Sequence, residues 1–166
     1  MLDDNLGMPL AYLVTFRTYG TWLHGDERGS VDRLCKAYNS PKLPADSRRL
    51  ARNEDRLEFA PVTLDADRRA AARAAIRETC DIRGWSLKAL NVRTNHVHSV
   101  VWAPCAVERV LNAFKANATR VIRDRGLWRD ERSPWSRGGS TRYLWSETSL
   151  EAAIVYVLHR QGPPLD

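Results

Sequence analysis

The chain has 166 residues, of which 43% are hydrophobic, so it is long enough for one domain with a real core and too apolar for wholesale disorder. No apolar run approaches the ~20 residues of a membrane-spanning helix. The acidic start (MLDD) does not resemble a secretion signal, and the three widely spaced cysteines form no disulfide or zinc pattern, so we expect a cytoplasmic protein. A net charge of +6 favours a nucleic-acid partner.

The first half of the chain predicts one strand, one long irregular segment and one helix. Residues 11–18 (AYLVTFRT) are β-branched and aromatic, as in a central strand. Residues 19–63 contain several prolines and a charged run, which indicates an irregular insertion. The helix that follows begins at Asp65, a suitable N-cap, and ends at Gly84, a suitable C-terminal glycine.

The second half predicts strands that alternate with amphipathic helices. Residues 85–94 and 96–104 are two strands, most simply a hairpin with a very tight turn. Apolar residues at helical spacing follow up to Gly126, then a Gly- and Ser-rich loop and a short strand, TRYLW. A last helix begins at a capping Ser149 and ends before Gly162. This order predicts a single α+β domain over residues 1–166, with an antiparallel sheet backed by helices.

Two histidines, His96 and His98, are separated by one residue inside an apolar strand. Alternation along a strand places both imidazoles on one face and Val97 on the other, towards the core. Two imidazoles side by side are able to bind one metal ion, provided that a third ligand exists. The other interpretation is a pair of hydrogen-bonded structural histidines.

The last helix contains a tyrosine that its apolar stripe does not explain. Leu150, Ile154, Val157 and Leu158 share one stripe that we expect to face the core, and Tyr156 lies off this stripe. A phenol is a weak nucleophile unless its surroundings favour the charge that develops on attack. A divalent cation that polarises a phosphate would supply that condition, so the histidines and the tyrosine together indicate a phosphodiester substrate.

These motifs resemble a known family. The stretch NVRTNHVHSVV resembles the HUH motif (His, hydrophobic, His) of single-strand DNA nucleases, and a downstream helix with one tyrosine resembles the single-tyrosine transposases of that superfamily. The strand YLVTFRTYGTW, the helix AFKANATRVIRDRG and the end AAIVYVLHRQG extend the likeness over most of the chain. It is closest to the group related to REP-associated tyrosine transposases.

The resemblance implies a fold, a reaction and a cofactor. The fold would be the ferredoxin-like HUH fold, with a central antiparallel sheet of about four to five strands. Tyr156 would attack single-stranded or hairpin DNA, leaving a 5′-phosphotyrosine and a free 3′-hydroxyl, and rejoining would need no ATP. His96 and His98 would bind Mg²⁺ or Mn²⁺ and so take part in catalysis. Relatives act as monomers or as homodimers, and both states stay open.

The third metal ligand departs from the family pattern. The family usually has Gln or Asn four residues after the tyrosine, where this chain has Arg160, which cannot bind a metal. Gln161 is one residue further on, where the helix is expected to end. We predict Gln161 as the third ligand and keep His159 as the alternative.

Five further residues are candidates for DNA binding. Cationic side chains on a helix face or in a glycine-rich loop neutralise phosphates, and aromatic rings stack on unpaired bases. The candidates are Lys115, Arg120, Arg142, Tyr19 and Trp22.

Three other function classes are alternatives to this one. A domesticated DNA-binding protein on the same fold would bind without cutting, and Arg160 at the ligand position favours it. A metal-independent phosphoesterase needs two H-x-S/T motifs, which His96 and His98 do not supply. An RNA-binding ferredoxin-like module would have stacking aromatics on its central strands, where this chain has histidines.

Overall fold

The computed structural model describes residues 7–21 and 45–165. In chain order the elements of these residues are β1 (Ala11–Arg17), α1 (Ser47–Glu54), α2 (Ala66–Arg83), β2 (Ser86–Val92), β3 (His96–Trp102), α3 (Val107–Asp124), β4 (Ser140–Leu144) and α4 (Glu147–His159). No helix within these ranges is both long and apolar enough to cross a membrane.

The strands of the described residues form one antiparallel sheet in the order β2-β3-β1-β4. Together with α2 and α3 this is the βαββαβ arrangement of a ferredoxin-like fold, to which α4 is added. The predicted α+β fold with an antiparallel sheet is therefore confirmed. The predicted hairpin is confirmed too, because the amide of Arg93 donates to the carbonyl of His96 at 2.8 Å and leaves only two residues in the turn.

Helix α2 has the predicted boundaries, and the predicted capping residues set them. The Asp65 side chain accepts from the amide of Arg68, and Gly84 ends the helix in the left-handed conformation at φ 66°. The alanine-rich face of α2 and the apolar face of α3 pack on one side of the sheet. Val97 and Val101 of β3 enter this main core, as alternation predicted.

The opposite side of the sheet is covered as well, which the sequence did not indicate. A second apolar cluster joins the sheet to α4 and consists of Ala11, Ala89, Val100, Leu144, Ala153 and Val157. The histidine face of β3 was expected to point away from the core, but His98 is only 7% exposed beneath this layer. That expectation is wrong because α4 folds back over the sheet instead of extending the α2–α3 layer.

Two predictions about α4 need correction. The helix begins at Glu147, since Ser146 is the N-cap and Ser149 is the third residue of its capping box. The buried residues are Ala153 and Val157, whereas Leu158 is 46% exposed. The predicted Leu150 and Ile154 pack partly buried against the same cluster, so of the predicted stripe only Leu158 is wrong, and Ala153 takes part in its place.

The irregular segment predicted for residues 19–63 contains a helix. Helix α1 lies inside the charged run, and the Asp46 side chain caps it by accepting from the amides of Arg48 and Arg49. The prediction of irregular structure is wrong there because a polar helix that buries no side chain has no apolar periodicity to reveal it. Residues 22–44 of this segment lie outside the described residues.

Candidate active site

The two histidines lie next to each other on β3, at the side of the sheet that α4 covers. Their ring centroids are 4.6 Å apart with 72° between the ring planes. Strand alternation puts both rings on this face, and the covering helix leaves His98 buried and His96 half-buried. The predicted juxtaposition of two imidazoles is therefore present in the folded chain.

Each imidazole has a polar partner at its Nδ1 atom. The amide oxygen of Asn95 lies 2.6 Å from Nδ1 of His96. The hydroxyl of Thr15, which is directly opposite His98 in the β1–β3 register, lies 2.6 Å from Nδ1 of His98. Metal-binding histidines are typically held through the ring nitrogen that does not face the metal. Neither partner was predicted from the sequence, although Asn95 is the residue directly before the motif.

Burial keeps His98 uncharged. The pKa of His98 is lowered from its usual 6.5 to about 3, mainly by desolvation and then by charge repulsion from His96 and Arg17, while a hydrogen bond between the ring and the Gln161 side chain acts in the opposite direction. A neutral imidazole is the form that binds a metal ion. At neutral pH this ring is therefore already in the form that coordination requires.

Tyr156 lies over the histidines from α4. Its ring centroid is 5.4 Å from that of His98 with 71° between the planes, and the residue is 40% exposed. The side-chain amide of Asn91 donates to the carbonyl of Val157 at 2.9 Å and so fixes this part of the helix to β2. The phenol is thus held beside the histidines while it stays accessible to a macromolecular substrate.

Gln161 reaches the histidines because the helix ends just before it. Arg160 leaves the helical conformation at φ −118° and ψ 25°, and the chain turns back towards the sheet. The amide oxygen of Gln161 then lies 3.4 Å from Nε2 of His96, while its amide nitrogen donates to the carbonyl of Tyr156 at 3.0 Å. His159, the alternative ligand, is an exposed residue at the end of α4.

The donor atoms that converge here suit a divalent cation. They are the ring nitrogens of His96 and His98 and the amide oxygen of Gln161. The part of the chain that the structure describes contains no group of three His, Cys, Asp or Glu residues that would hold a metal, so any site here depends on the glutamine. Mixed nitrogen and oxygen donors fit Mn²⁺ well, and Mg²⁺ less so.

The sequence matches the model of one protein family. The model of the IS200-like transposases matches residues 61–155, which is more than half of the chain. The chain belongs to the IS200-like transposase family. Membership gives the transposase a DNA partner and DNA transposition as its general activity. The match runs through the histidine motif and most of α4, and it ends one residue before Tyr156.

Comparisons with individual proteins add little. A solved structure of a candidate transposase from Deinococcus radiodurans R1 is 14% identical over 99% of both chains, with a TM-score of 0.46. Similarity at that level carries no argument about this transposase. No curated protein matches the sequence.

Two of the predicted DNA-binding cations of the transposase lie on α3, which packs on the other side of the sheet. The Lys115 ammonium donates to the carbonyls of Ser136 and Gly138 at 2.6 and 2.7 Å, and burial lowers its pKa. It therefore holds the loop before β4. Arg120 is exposed and forms ion pairs with Glu78 and Asp124. DNA contacts by these two residues stay predictions.

The other predicted DNA contacts differ in accessibility. Arg142 is exposed on β4, opposite the partly buried Leu13 of β1. Tyr19 stacks on Phe59 with a centroid distance of 3.8 Å, so one face of its ring is already covered. Trp22 lies outside the described residues.

Arg17 is a further cation near the histidines, and it was not predicted from the sequence. It is the last residue of β1, pairs with His96 in the sheet register and is half-buried. Its charge is close enough to contribute to the lowered pKa of His98. The sequence shows only that Arg17 lies at the end of a central strand. It does not show that β3, which carries the histidines, is the neighbouring strand, because strand order is set by the tertiary structure.

Proposed function

We propose that the protein nicks and rejoins single-stranded or hairpin DNA, with Tyr156 as the nucleophile of an HUH-type transposase. One observation carries the proposal. The Tyr156 ring lies against His98, and the same residue's carbonyl holds the Gln161 amide whose oxygen faces His96. One nucleophile and three possible metal donors thus come from two separate parts of the chain to one accessible place.

The proposed step exchanges one phosphoester bond for another. The phenolic oxygen of Tyr156 attacks the scissile phosphorus and loses its proton to water. The bond from phosphorus to the 3′ oxygen breaks, and that oxygen leaves as a 3′-hydroxyl after it takes up a proton. The 5′-phosphate stays on the tyrosine as a phosphodiester, so attack by a 3′-hydroxyl reverses the step without an external energy source.

His96, His98 and Gln161 would hold Mn²⁺ or Mg²⁺ in this reaction. When bound, such a cation polarises the phosphate and stabilises the negative charge that develops on it. Asn95 and Thr15 would hold the two rings, and the amide of Gln161 would keep the end of α4 beside them. Arg17, next to His96 in the sheet, is in position to attract a phosphate oxygen.

A covalent-adduct assay tests this function. Protein is incubated with Mn²⁺ and hairpin DNA labelled on the 3′ side of the nick, and the products are separated on a denaturing gel. We expect a slow, protease-sensitive band from the wild type and none from Tyr156→Phe, because phenylalanine has no atom that attacks phosphorus. Tyr143→Phe is the matched control, since Tyr143 packs edge-on against Tyr12 of the main core and should leave the adduct unchanged.

The remaining outcomes of the assay are equally informative. A band that persists in Tyr156→Phe would transfer the nucleophile to another residue. No band from the wild type, together with salt-sensitive DNA binding, would favour a domesticated binder that does not cut. Arg160 at the family's ligand position speaks less strongly for such a binder than the sequence alone suggests, because the amide oxygen of Gln161 lies 3.4 Å from Nε2 of His96.

Preference for unpaired DNA is tested by competition. Single-stranded or hairpin DNA should compete better than blunt duplex, because a duplex leaves few bases accessible to a half-buried site. Binding should also weaken as the salt concentration rises, because the transposase is basic. Equal competition by plain duplex at moderate salt would contradict the proposed substrate. Membership of the narrower REP-associated group stays a prediction.

A further inference from the structure

We propose that Asn95 is a positioning residue, which fixes His96 in one neutral tautomer, and that the corresponding contact of Thr15 does not select a tautomer of His98. The inference rests on the proposed function, because the tautomer decides which ring nitrogen is able to bind the proposed metal ion. Its basis is a difference between two contacts of equal length. An amide oxygen only accepts hydrogen bonds, whereas a hydroxyl both donates and accepts.

The Asn95 contact excludes one neutral form of His96. The amide oxygen lies 2.6 Å from Nδ1 of His96, so Nδ1 must carry the proton. In the neutral ring Nε2 then holds the lone pair. The fixed tautomer is the one that presents a ligand atom, before any ion arrives.

That lone pair points towards a second electron-pair donor. Nε2 of His96 faces the Gln161 amide oxygen at 3.4 Å. The orientation of this amide is not ambiguous, because its nitrogen donates to the carbonyl of Tyr156, which only accepts. Two ligand atoms are therefore aimed at the same space from residues 65 positions apart in the sequence.

Thr15 acts differently on His98. Its hydroxyl is 2.6 Å from Nδ1 and can donate to a bare nitrogen or accept from a protonated one. Coordination through Nε2 requires the second arrangement, in which the Thr15 proton turns away. The Thr15 contact is therefore compatible with both tautomers of His98, whereas the Asn95 contact is compatible with only one neutral tautomer of His96.

Asn95 has a competing explanation, because asparagine is favoured in two-residue hairpin turns. Substitution by glycine separates the two roles, since glycine suits the turn and lacks the amide. The turn is also held by main-chain contacts that survive the change, as the carbonyl of Asn95 accepts from the amide and the hydroxyl of Thr18.

The first experiment reads the tautomers directly. The four histidines of metal-free protein are labelled with ¹⁵N and assigned by single substitutions, and the ring shifts distinguish protonated from bare nitrogen. We expect neutral His96 to be protonated at Nδ1 in the wild type and in Asn95→Asp, which keeps an acceptor. In Asn95→Gly we expect the proton to redistribute to Nε2. A wild-type His96 protonated at Nε2 would overturn the inference, and so would an unchanged spectrum in Asn95→Gly.

The second experiment measures Mn²⁺ affinity in the Tyr156→Phe background, where no cleavage occurs. Loss of a group that holds a metal-binding histidine typically costs 10- to 100-fold in affinity, so we expect about tenfold weaker binding for Asn95→Gly. Asn95→Asp keeps an acceptor and adds negative charge, so it should bind at least as tightly as the wild type, and Thr15→Val should bind more weakly than Thr15→Ser. Thr141→Val on β4 is the matched control and should change nothing.

The outcomes separate this inference from the proposed function. Wild-type affinity in Asn95→Gly would overturn the positioning role even if the enzyme cuts DNA. A wild type that binds no Mn²⁺ would contradict the metal part of the proposed function, and the ¹⁵N spectrum of metal-free protein would still decide the tautomer of His96.

Discussion

Gln161 donates from its side-chain amide to the main-chain carbonyl of Tyr156 at 3.0 Å. The contact joins the end of α4 to the residue that carries the phenol, and it sets which atom of the amide faces the histidines. A shift of the helix end would therefore move the tyrosine and the third donor together. The relationship is possible because Arg160 is not helical.

The first prediction concerns the third donor. Gln161→Ala removes the amide oxygen that faces His96. Mn²⁺ affinity should therefore fall about tenfold or more, as expected when a metal site loses one ligand or a group that holds a ligand in place. His159→Ala should leave the affinity unchanged, because His159 is exposed at the end of α4. Titration calorimetry with Mn²⁺ on both variants checks this. The reverse order of effects would make His159 the ligand.

The second prediction concerns stability at the two histidines. His98 is 7% exposed beneath α4, so His98→Ala leaves a cavity and should lower the free energy of unfolding by about 2 kcal/mol. His96 is only half-buried, so His96→Ala should cost less, about 1 kcal/mol. Urea unfolding in the presence of EDTA measures both. Equal costs would mean that α4 does not cover His98 in solution.

The third prediction concerns pH in metal-free protein. His98 has a pKa of about 3 when folded and about 6.5 when unfolded, so between these values the unfolded chain binds more protons. Stability from this group is therefore complete above pH ~6.5 and is lost as the pH falls, by about 1 kcal/mol per pH unit within that window.

The matched variant for this pH effect is His98→Gln, which has a similar size and does not titrate. Urea unfolding from pH 7 to pH 4.5 with EDTA should give a steeper loss of stability for the wild type than for the variant. Carboxylates titrate in both proteins, so the difference between the two curves isolates His98. Parallel curves would contradict a lowered pKa.

The fourth prediction concerns Gly139, which precedes β4. A Cβ atom there would lie 2.7 Å from the carbonyl oxygen of Thr15 and 2.9 Å from a methyl of Leu111. Gly139→Ala should therefore cost about 1–3 kcal/mol through overpacking, and it should disturb β1 at the residue that holds His98.

A neighbouring glycine gives the control for Gly139. Gly138 has φ 68° and nothing within 4 Å of an added Cβ, and asparagine tolerates this conformation. Thermal unfolding should thus show Gly138→Asn close to the wild type and Gly139→Ala well below it. Equal melting temperatures for the wild type and Gly139→Ala would show that β1 and the loop adjust without cost.

Much of the fold follows from local patterns in the sequence. Helix α2 is set by its aspartate cap, its alanine-rich face and its terminal glycine, and all of these act within a few residues. Strand alternation likewise decides that His96 and His98 share a face. The tight turn between β2 and β3 is local too, which is why the hairpin was predictable.

The composition of the site depended on the tertiary structure. Strand alternation predicts that the two rings share a face of the sheet. It does not predict that α4 covers this face, because burial is set by packing between segments that are distant in the sequence. The neighbours Thr15 and Arg17 come from the register between β1 and β3, which are separated by more than 75 residues along the chain. On an ideal helix, Gln161 would not lie on the same side as Tyr156, which is five residues earlier. It reaches His96 because the helix ends at His159, and a non-helical Arg160 turns the chain back towards the sheet.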